Sequence, residues 1–341
     1  GIFLVISIPG HFFAGELLAL LDTTEDMLPL STQYLSIIFL GLPFLAVYNV
    51  YSAALRALGD SRAPFLAVVV SSVVNIALDI LLVAVIPWGV RGAAIATIFS
   101  QAAMTIFIIG YAIKKHPTLR FKPGRGMSDL SCVAEGVRFG LPPMIQSSLT
   151  ATGSLLLQSF MNSFGSDTVT AITTAYRVDT IILLPIMNLS SGISTLSAQS
   201  HGAHDDARAG RILGVGTVMM TVVSLMLTAI IIPTGGWLIA MFGAGETVVH
   251  IGRSFFVGIA PFYVVCGLAM ALRGYLEGLG DMTFSSAIGI CALATRIAAS
   301  YAMRPFFGNM TVAYAEAVSW ALMLALYAAR CAVKRRAIAR G

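Results

Sequence analysis

The stretch APFLAVVVSSVVNIALDILLVAVI (63–86) is apolar enough to lie in hydrocarbon, yet it carries Asn75 and Asp79 near its middle. A helix needs about 20 apolar residues to cross the hydrocarbon core, so the stretch reads as a transmembrane helix. A carboxylate at the centre of such a helix costs about 2.5–3.5 kcal/mol on insertion scales. A compensating role is therefore expected of Asp79. On a helix Asn75 and Asp79 are i, i+4 neighbours and share a face.

The composition extends this reading to the whole chain. Its 341 residues are 57% hydrophobic and 11% charged, where soluble domains carry about 25% charged residues. Further spans are expected at roughly 31–55, 90–113, 137–164, 169–200, 212–232, 250–272, 283–304 and 311–332. Residues 1–21 read as the tail of a helix and a short interfacial segment, because Pro9, Gly10, His11 and Glu16 follow the apolar start. The fold class expected is an all-α polytopic membrane protein.

Charge orients it. With the 114–136 connection placed inside (Lys114, Lys115, Arg120, Lys122, Arg125), alternation also puts Arg56, Arg62, Arg208, Arg211, Arg273, Lys334, Arg335, Arg336 and Arg340 inside. The outer side keeps Arg91, Arg253 and Arg304, with the acidic Asp22, Glu25 and Asp26. This is the positive-inside pattern. It accounts for the net charge of +5 without a nucleic-acid partner. The expectation is a multi-pass protein of the inner or plasma membrane with its linker and tail cytoplasmic, acting as a monomer among membrane lipids.

The linker also divides the chain into an N-terminal bundle (1–113) and a C-terminal six-helix bundle with a basic tail (137–341). A repeat crosses that divide. ALRALGD (54–60) matches GYLEGLGD (274–281) at an offset of 221, and LLALLDTTE (17–25) aligns with LIAMFGAGE (238–246). Pro43 and Pro261 depart from the offset by three residues, pointing to an indel or a shifted kink. Parallel repeats of this kind are one transporter plan. The repeat leaves the first bundle incomplete and predicts about 85–90 residues, some two and a half helices, ahead of Gly1.

The turn PWG (87–89) is tight, so spans 63–86 and 90–113 are expected to form an antiparallel hairpin. Asp79 and Thr97 then lie about 10 Å below the outer turn, with Asn75 one turn deeper. Such a carboxylate can exchange a proton, and the oxygen-rich trio also suits a hard cation such as sodium. Proton and sodium both remain open as the coupling ion, and no other cofactor is expected. The repeat aligns Asn75, Asp79 and Thr97 with Arg296, Ser300 and Val318, so this cluster is one-sided. Arg177, Asp179 and Glu316 also lie inside spans and are expected to line a polar cavity, or else to stabilise the bundle as an interfacial cluster or ion pair.

Other chemistries find no support. HGAHDD (201–206) lacks further converging ligands for a metal. Cys132, Cys266, Cys291 and Cys331 show neither ligand spacing nor a pairing pattern. There is no P-loop, HExxH, GxSxG or Gly-rich dinucleotide fingerprint. No catalytic residues are expected, and an integral membrane enzyme is the least favoured class.

Taken in order, LRALGDSRAP (55–64), NIALD (75–79), GAAIAT (92–97) followed by Gln101, and QSHGA (199–203) resemble the multidrug and toxic compound extrusion (MATE) family of cation-coupled antiporters. The resemblance implies two six-helix bundles, alternating access, and export of amphipathic, often cationic organic compounds in exchange for protons or sodium. It also implies that Asn75 and Asp79 on the family's fifth helix and Thr97 on the sixth couple to the ion, together with a first-helix aspartate that would precede Gly1. Some members use a carboxylate on the seventh helix, but 137–164 has none. The competing reading is a lipid-linked saccharide flippase of the same superfamily, which would want a more basic cavity than Arg177 and Arg296 supply.

Overall fold

The computed structural model describes residues 2–20, 26–120, 130–243 and 245–338, and no strand occurs among them. Asp22, Glu25, Lys122, Arg125 and Arg340 lie outside the described residues, as does the middle of the expected linker. The chain forms two compact units, Gly1–Met127 and Ser128–Gly341.

The first unit holds α1 (Ile2–Phe12), α2 (Ala14–Leu20), α3 (Leu28–Ala57), α4 (Arg62–Asp79) and α5 (Gly89–Lys115). The apolar start does not stop at Pro9. α1 continues through Pro9, Gly10 and His11 and breaks at Phe13, because α3 holds it in place. Ser7 donates to the Phe39 carbonyl at 2.6 Å, and His11 Nδ1 lies 2.9 Å from the Ser36 carbonyl. The α4–α5 hairpin forms as expected, turning after Ile86 with Gly89 at a φ of +56°.

The second unit holds α6 (Leu130–Asn162), α7 (Ser166–Ile182), α8 (Leu184–Gly202), α9 (Asp206–Ala240), α10 (Glu246–Ile259), α11 (Tyr263–Gly278), α12 (Met282–Phe307) and α13 (Thr311–Ile338). Part of the expected 114–136 connection is therefore helical, since α6 begins at Leu130. Two expected spans are broken by proline, which cannot donate to the preceding turn. Pro185 bends α7 against α8 by 40° at Leu183. Pro261 sits in the short 3-10 segment between α10 and α11, where Thr228 of α9 donates to the Ala260 carbonyl at 2.7 Å. Pro43, by contrast, lies inside an unbroken α3.

Six described stretches are long and apolar enough to cross a membrane, seven counting the bent α7–α8 pair. One of them, Met282–Arg336, contains both α12 and α13, which the turn at Gly308–Met310 folds against each other. α6 is long, at 33 residues, but is not among the six. Gln146, Ser147, Ser148, Thr150, Thr152 and Ser154 dilute its apolar run, and several of these hydroxyls bond carbonyls one turn back. A helix can carry such groups in lipid because its backbone polarity is already satisfied.

Small residues set the packing, as membrane bundles favour. α11 presents Gly274 and Gly278 to α8, and a Cβ on Gly278 would lie 2.5 Å from the Ser194 carbonyl. Ser190 donates to the Met270 carbonyl across the same contact at 2.6 Å. Around it lies a core of Tyr263, Tyr275, Tyr327, Phe255 and Phe256. Outward faces stay apolar. On α4, Phe65, Val69, Val73 and Ile76 are all exposed, as is Ile80 just beyond its end.

The two LGD motifs build the same device in each unit. Gly59 and Gly280 take φ values of +84° and +78°, a region that glycine enters without penalty, and end α3 and α11. The aspartate that follows is gripped by the last helix of its unit. Asp60 receives Tyr111 at 3.0 Å, Lys115 at 3.2 Å and His116 at 3.3 Å. Asp281 receives Arg330 at 2.7 Å, with Lys334 at 3.9 Å. Burial pushes the Asp60 carboxyl up, but the hydrogen bonds from His116, Tyr111 and Lys115 outweigh it and hold the group well below the usual carboxylate range. A depressed folded pKa means stability that is present above the unfolded value, about 3.9, and lost as pH falls through the folded one. Asp60→Asn is expected to lower the melting temperature in detergent at pH 7. The deficit should persist from pH 8 to pH 5 and should shrink only in stronger acid. A deficit that already closes near pH 6 would contradict this.

Candidate functional site

In the first unit, Asn75 and Asp79 come from α4 and Thr97 from α5, and all three are partly buried. Asp79 is the last α-helical residue. From Ile80 to Val85 the chain winds as a π-helix, with Ile86 donating five residues back to the Leu81 carbonyl at 2.9 Å. Such π turns inside helices are frequent at functional sites. The Asp79 Oδ1 atom is buried and has no hydrogen-bond partner. Gln101 Oε1, on α5, is in the same condition, and a Cβ on Gly41 of α3 would collide with it. The Thr97 hydroxyl donates to the Ala93 carbonyl of its own helix at 2.9 Å. The unit therefore holds an unmet carboxylate oxygen inside an apolar span.

The second unit gathers a different group. A cavity of about 420 Å³ is lined by Tyr176, Asp179, Arg296 and Glu316, with Gln158 and Met187 among the remaining walls. The break at Leu183 borders it, so the bent α7–α8 pair frames the space. Arg296 Nη2 reaches Glu316 Oε2 at 3.1 Å and the Tyr176 hydroxyl at 2.7 Å, and its guanidinium lies 5.5 Å from the Tyr176 ring centre. Tyr263 donates to Asp179. Ser300 donates to the Arg296 carbonyl at 2.8 Å.

Of the residues singled out from sequence, Asp179 and Glu316 meet around this cavity, while Arg177 is exposed and outside its lining. Residues two apart on a helix point to different sides, whereas Tyr176 and Asp179, three apart, share one. Arg296 was visible as a cation in an apolar run. Tyr176 and Tyr263 gave no signal, because tyrosine is as common in cores as in sites. HGAHDD forms a helix start: Asp205 accepts from the Arg208 backbone N–H at 2.9 Å and Asp206 pairs with His201 at 3.0 Å. Among the described residues no group of three or more His, Cys, Asp or Glu is placed to hold a metal ion.

The MatE family model matches residues 1–81 and 142–302. The chain is 32% identical to the probable multidrug resistance protein YpnP of Bacillus subtilis over 80% of its own length and 61% of that protein's. It is 22% identical to the multidrug export protein MepA of Staphylococcus aureus, over 95% of this chain and 70% of MepA. The chain thus spans about three fifths of the length of YpnP. A solved structure of a multidrug resistance MATE family transporter of the MOP superfamily, in its outward-facing conformation, superposes with a TM-score of 0.89 at 19% identity, covering 100% of this chain and 77% of the other. At that identity the likeness carries the fold alone. The family match takes in more than half of the chain, so this multi-pass membrane protein belongs to the MATE family of multidrug efflux transporters.

Proposed function

We propose that the protein exports amphipathic, often cationic organic compounds by secondary antiport through alternating access, with Asp79 exchanging a proton or a sodium ion. The observation that carries this reading is the buried Asp79 Oδ1 without a partner. A bare acceptor is costly where water is scarce, and a proton or a hard cation is the missing partner. Asn75 on α4, with Thr97 and the unpartnered Gln101 Oε1 on α5, supply the further oxygens we assign to the same ion. The protein works as a monomer in the inner or plasma membrane, with its linker and basic tail cytoplasmic.

The cavity of the second unit is the proposed substrate subsite. Its volume of about 420 Å³ is within the range of small-molecule pockets. Asp179 and Glu316 outnumber the single guanidinium of Arg296, which Glu316 already engages, so a cationic guest is favoured. A flippase for a pyrophosphate-linked saccharide would need free cations there, and Arg296 is not free.

Dye efflux from vesicles under imposed proton and sodium gradients tests the proposal. Efflux is expected to collapse when one of the two gradients is removed. Efflux that persists with both dissipated would overturn ion coupling.

A further inference from the structure

α8 and α9 form a hairpin in the second unit, and a groove of about 480 Å³ runs between them. Its floor is open because Gly192 has no side chain and no atom lies within 4 Å of where its Cβ would be. Its walls are apolar. Leu196, Val215 and Met219 are all exposed along it, and Gly216 lets Ile193 close against α9. At the hairpin end the lining changes to Arg208 and Arg211 on the first turns of α9.

Both guanidiniums are exposed, and no described carboxylate lies within 4.0 Å of either. The two nearest acids in sequence are engaged elsewhere: Asp205 caps α9 and Asp206 binds His201. Arg273, Arg296 and Arg330 of the same unit are all paired with carboxylates. From Arg211 to Met219 the helix rises about 12 Å, so the groove runs from the edge of the span well into hydrocarbon depth.

We propose that this groove holds an acyl chain of an anionic phospholipid whose phosphate is gripped by Arg208 and Arg211. Charge selects the guest. Two cations with no described carboxylate beside them attract a phosphodiester and repel the organic cations assigned to the other cavity, while a free phosphate would leave the apolar groove empty. Basic pockets between transmembrane helices bind acidic headgroups in this way. The groove shares no lining residue with the cavity at Glu316 and uses none of the residues assigned to the ion, so it stands or falls independently of the transport reading.

Native mass spectrometry of the protein in detergent decides the matter, with phosphatidylglycerol and phosphatidylcholine of identical chains added in turn. Phosphatidylglycerol is expected to be retained in preference. Arg208→Gln with Arg211→Gln should reduce that retention at least tenfold, to the phosphatidylcholine level, while Arg208→Lys with Arg211→Lys keeps most of it and reports on folding. Gly192→Leu projects a side chain into open groove and should expel the lipid with both arginines intact. Equal retention of the two lipids by the native protein, or a preference surviving the double glutamine variant, would overturn the proposal. So would displacement of the lipid by excess glycerol phosphate, which would reduce the site to a headgroup pocket.

Discussion

Glu316→Gln is expected to lower the melting temperature of the protein further than Arg296→Gln does, although the two residues share one ion pair. Arg296 Nη2 is bound by Glu316 at 3.1 Å and by the Tyr176 hydroxyl at 2.7 Å. The Glu316 side chain is 11% exposed and that of Arg296 22%, so both have left most of their solvent behind. Removing the carboxylate strands a guanidinium, which cannot shed its proton. A buried pair broken in this way costs about 3–5 kcal/mol, and the partial exposure of Arg296 puts the expected loss near the lower end. Removing the guanidinium strands a carboxyl group instead, and a carboxyl group, unlike a guanidinium, has a neutral form. That loss is expected near the cost of an unmet polar group, about 1–3 kcal/mol. The double variant Arg296→Gln with Glu316→Gln should recover part of the larger loss, since two neutral amides can bond each other. Thermal unfolding in detergent measures all three. Equal losses, or a larger loss for Arg296→Gln, would show that the pair is not the electrostatic unit described here.

The same residues show how far sequence reading reaches. Hydropathy found the spans because each apolar run has to be about as long as the bilayer is thick, and that length leaves a mark in composition. It did not separate Pro43, which α3 absorbs, from Pro185 and Pro261, which break their spans. Whether a freed carbonyl finds a new donor depends on a neighbouring helix, as Thr228 shows for Ala260. The π turn after Asp79 left no trace either, since shifting a hydrogen bond from four residues back to five requires no particular side chain. Charges in apolar runs were conspicuous, so Asp79, Asp179, Arg296 and Glu316 could all be noticed. Their grouping was harder. Arg296 and Glu316 lie on different helices, and only the turn at Gly308–Met310 brings them together. The separation of Arg177 from Asp179 could have been read from helical periodicity alone.

Asp79→Asn is expected to reduce ion-driven dye efflux to the passive leak while leaving the protein at least as stable as before. The substitution keeps the shape of the side chain and removes its capacity to bind a proton or a cation as a carboxylate. Stability should not suffer, because Asp79 Oδ1 has no hydrogen bond to lose. An uncharged amide is also cheaper than a carboxylate in a span, since the acid costs about 2.5–3.5 kcal/mol at a helix centre. A gain of about 1 kcal/mol is in line with what relieving a functional site yields. The combination is diagnostic. A residue that merely ties helices together would lose stability and efflux together when replaced, whereas a coupling residue loses efflux alone. Melting temperature in detergent and efflux from vesicles, measured on the same preparations under proton and sodium gradients, distinguish the two. The gradient that drives the native protein and fails to drive the variant names the ion. Unchanged efflux would relieve Asp79 of this role and transfer it to the second unit, where Asp179 and Glu316 already face a common cavity.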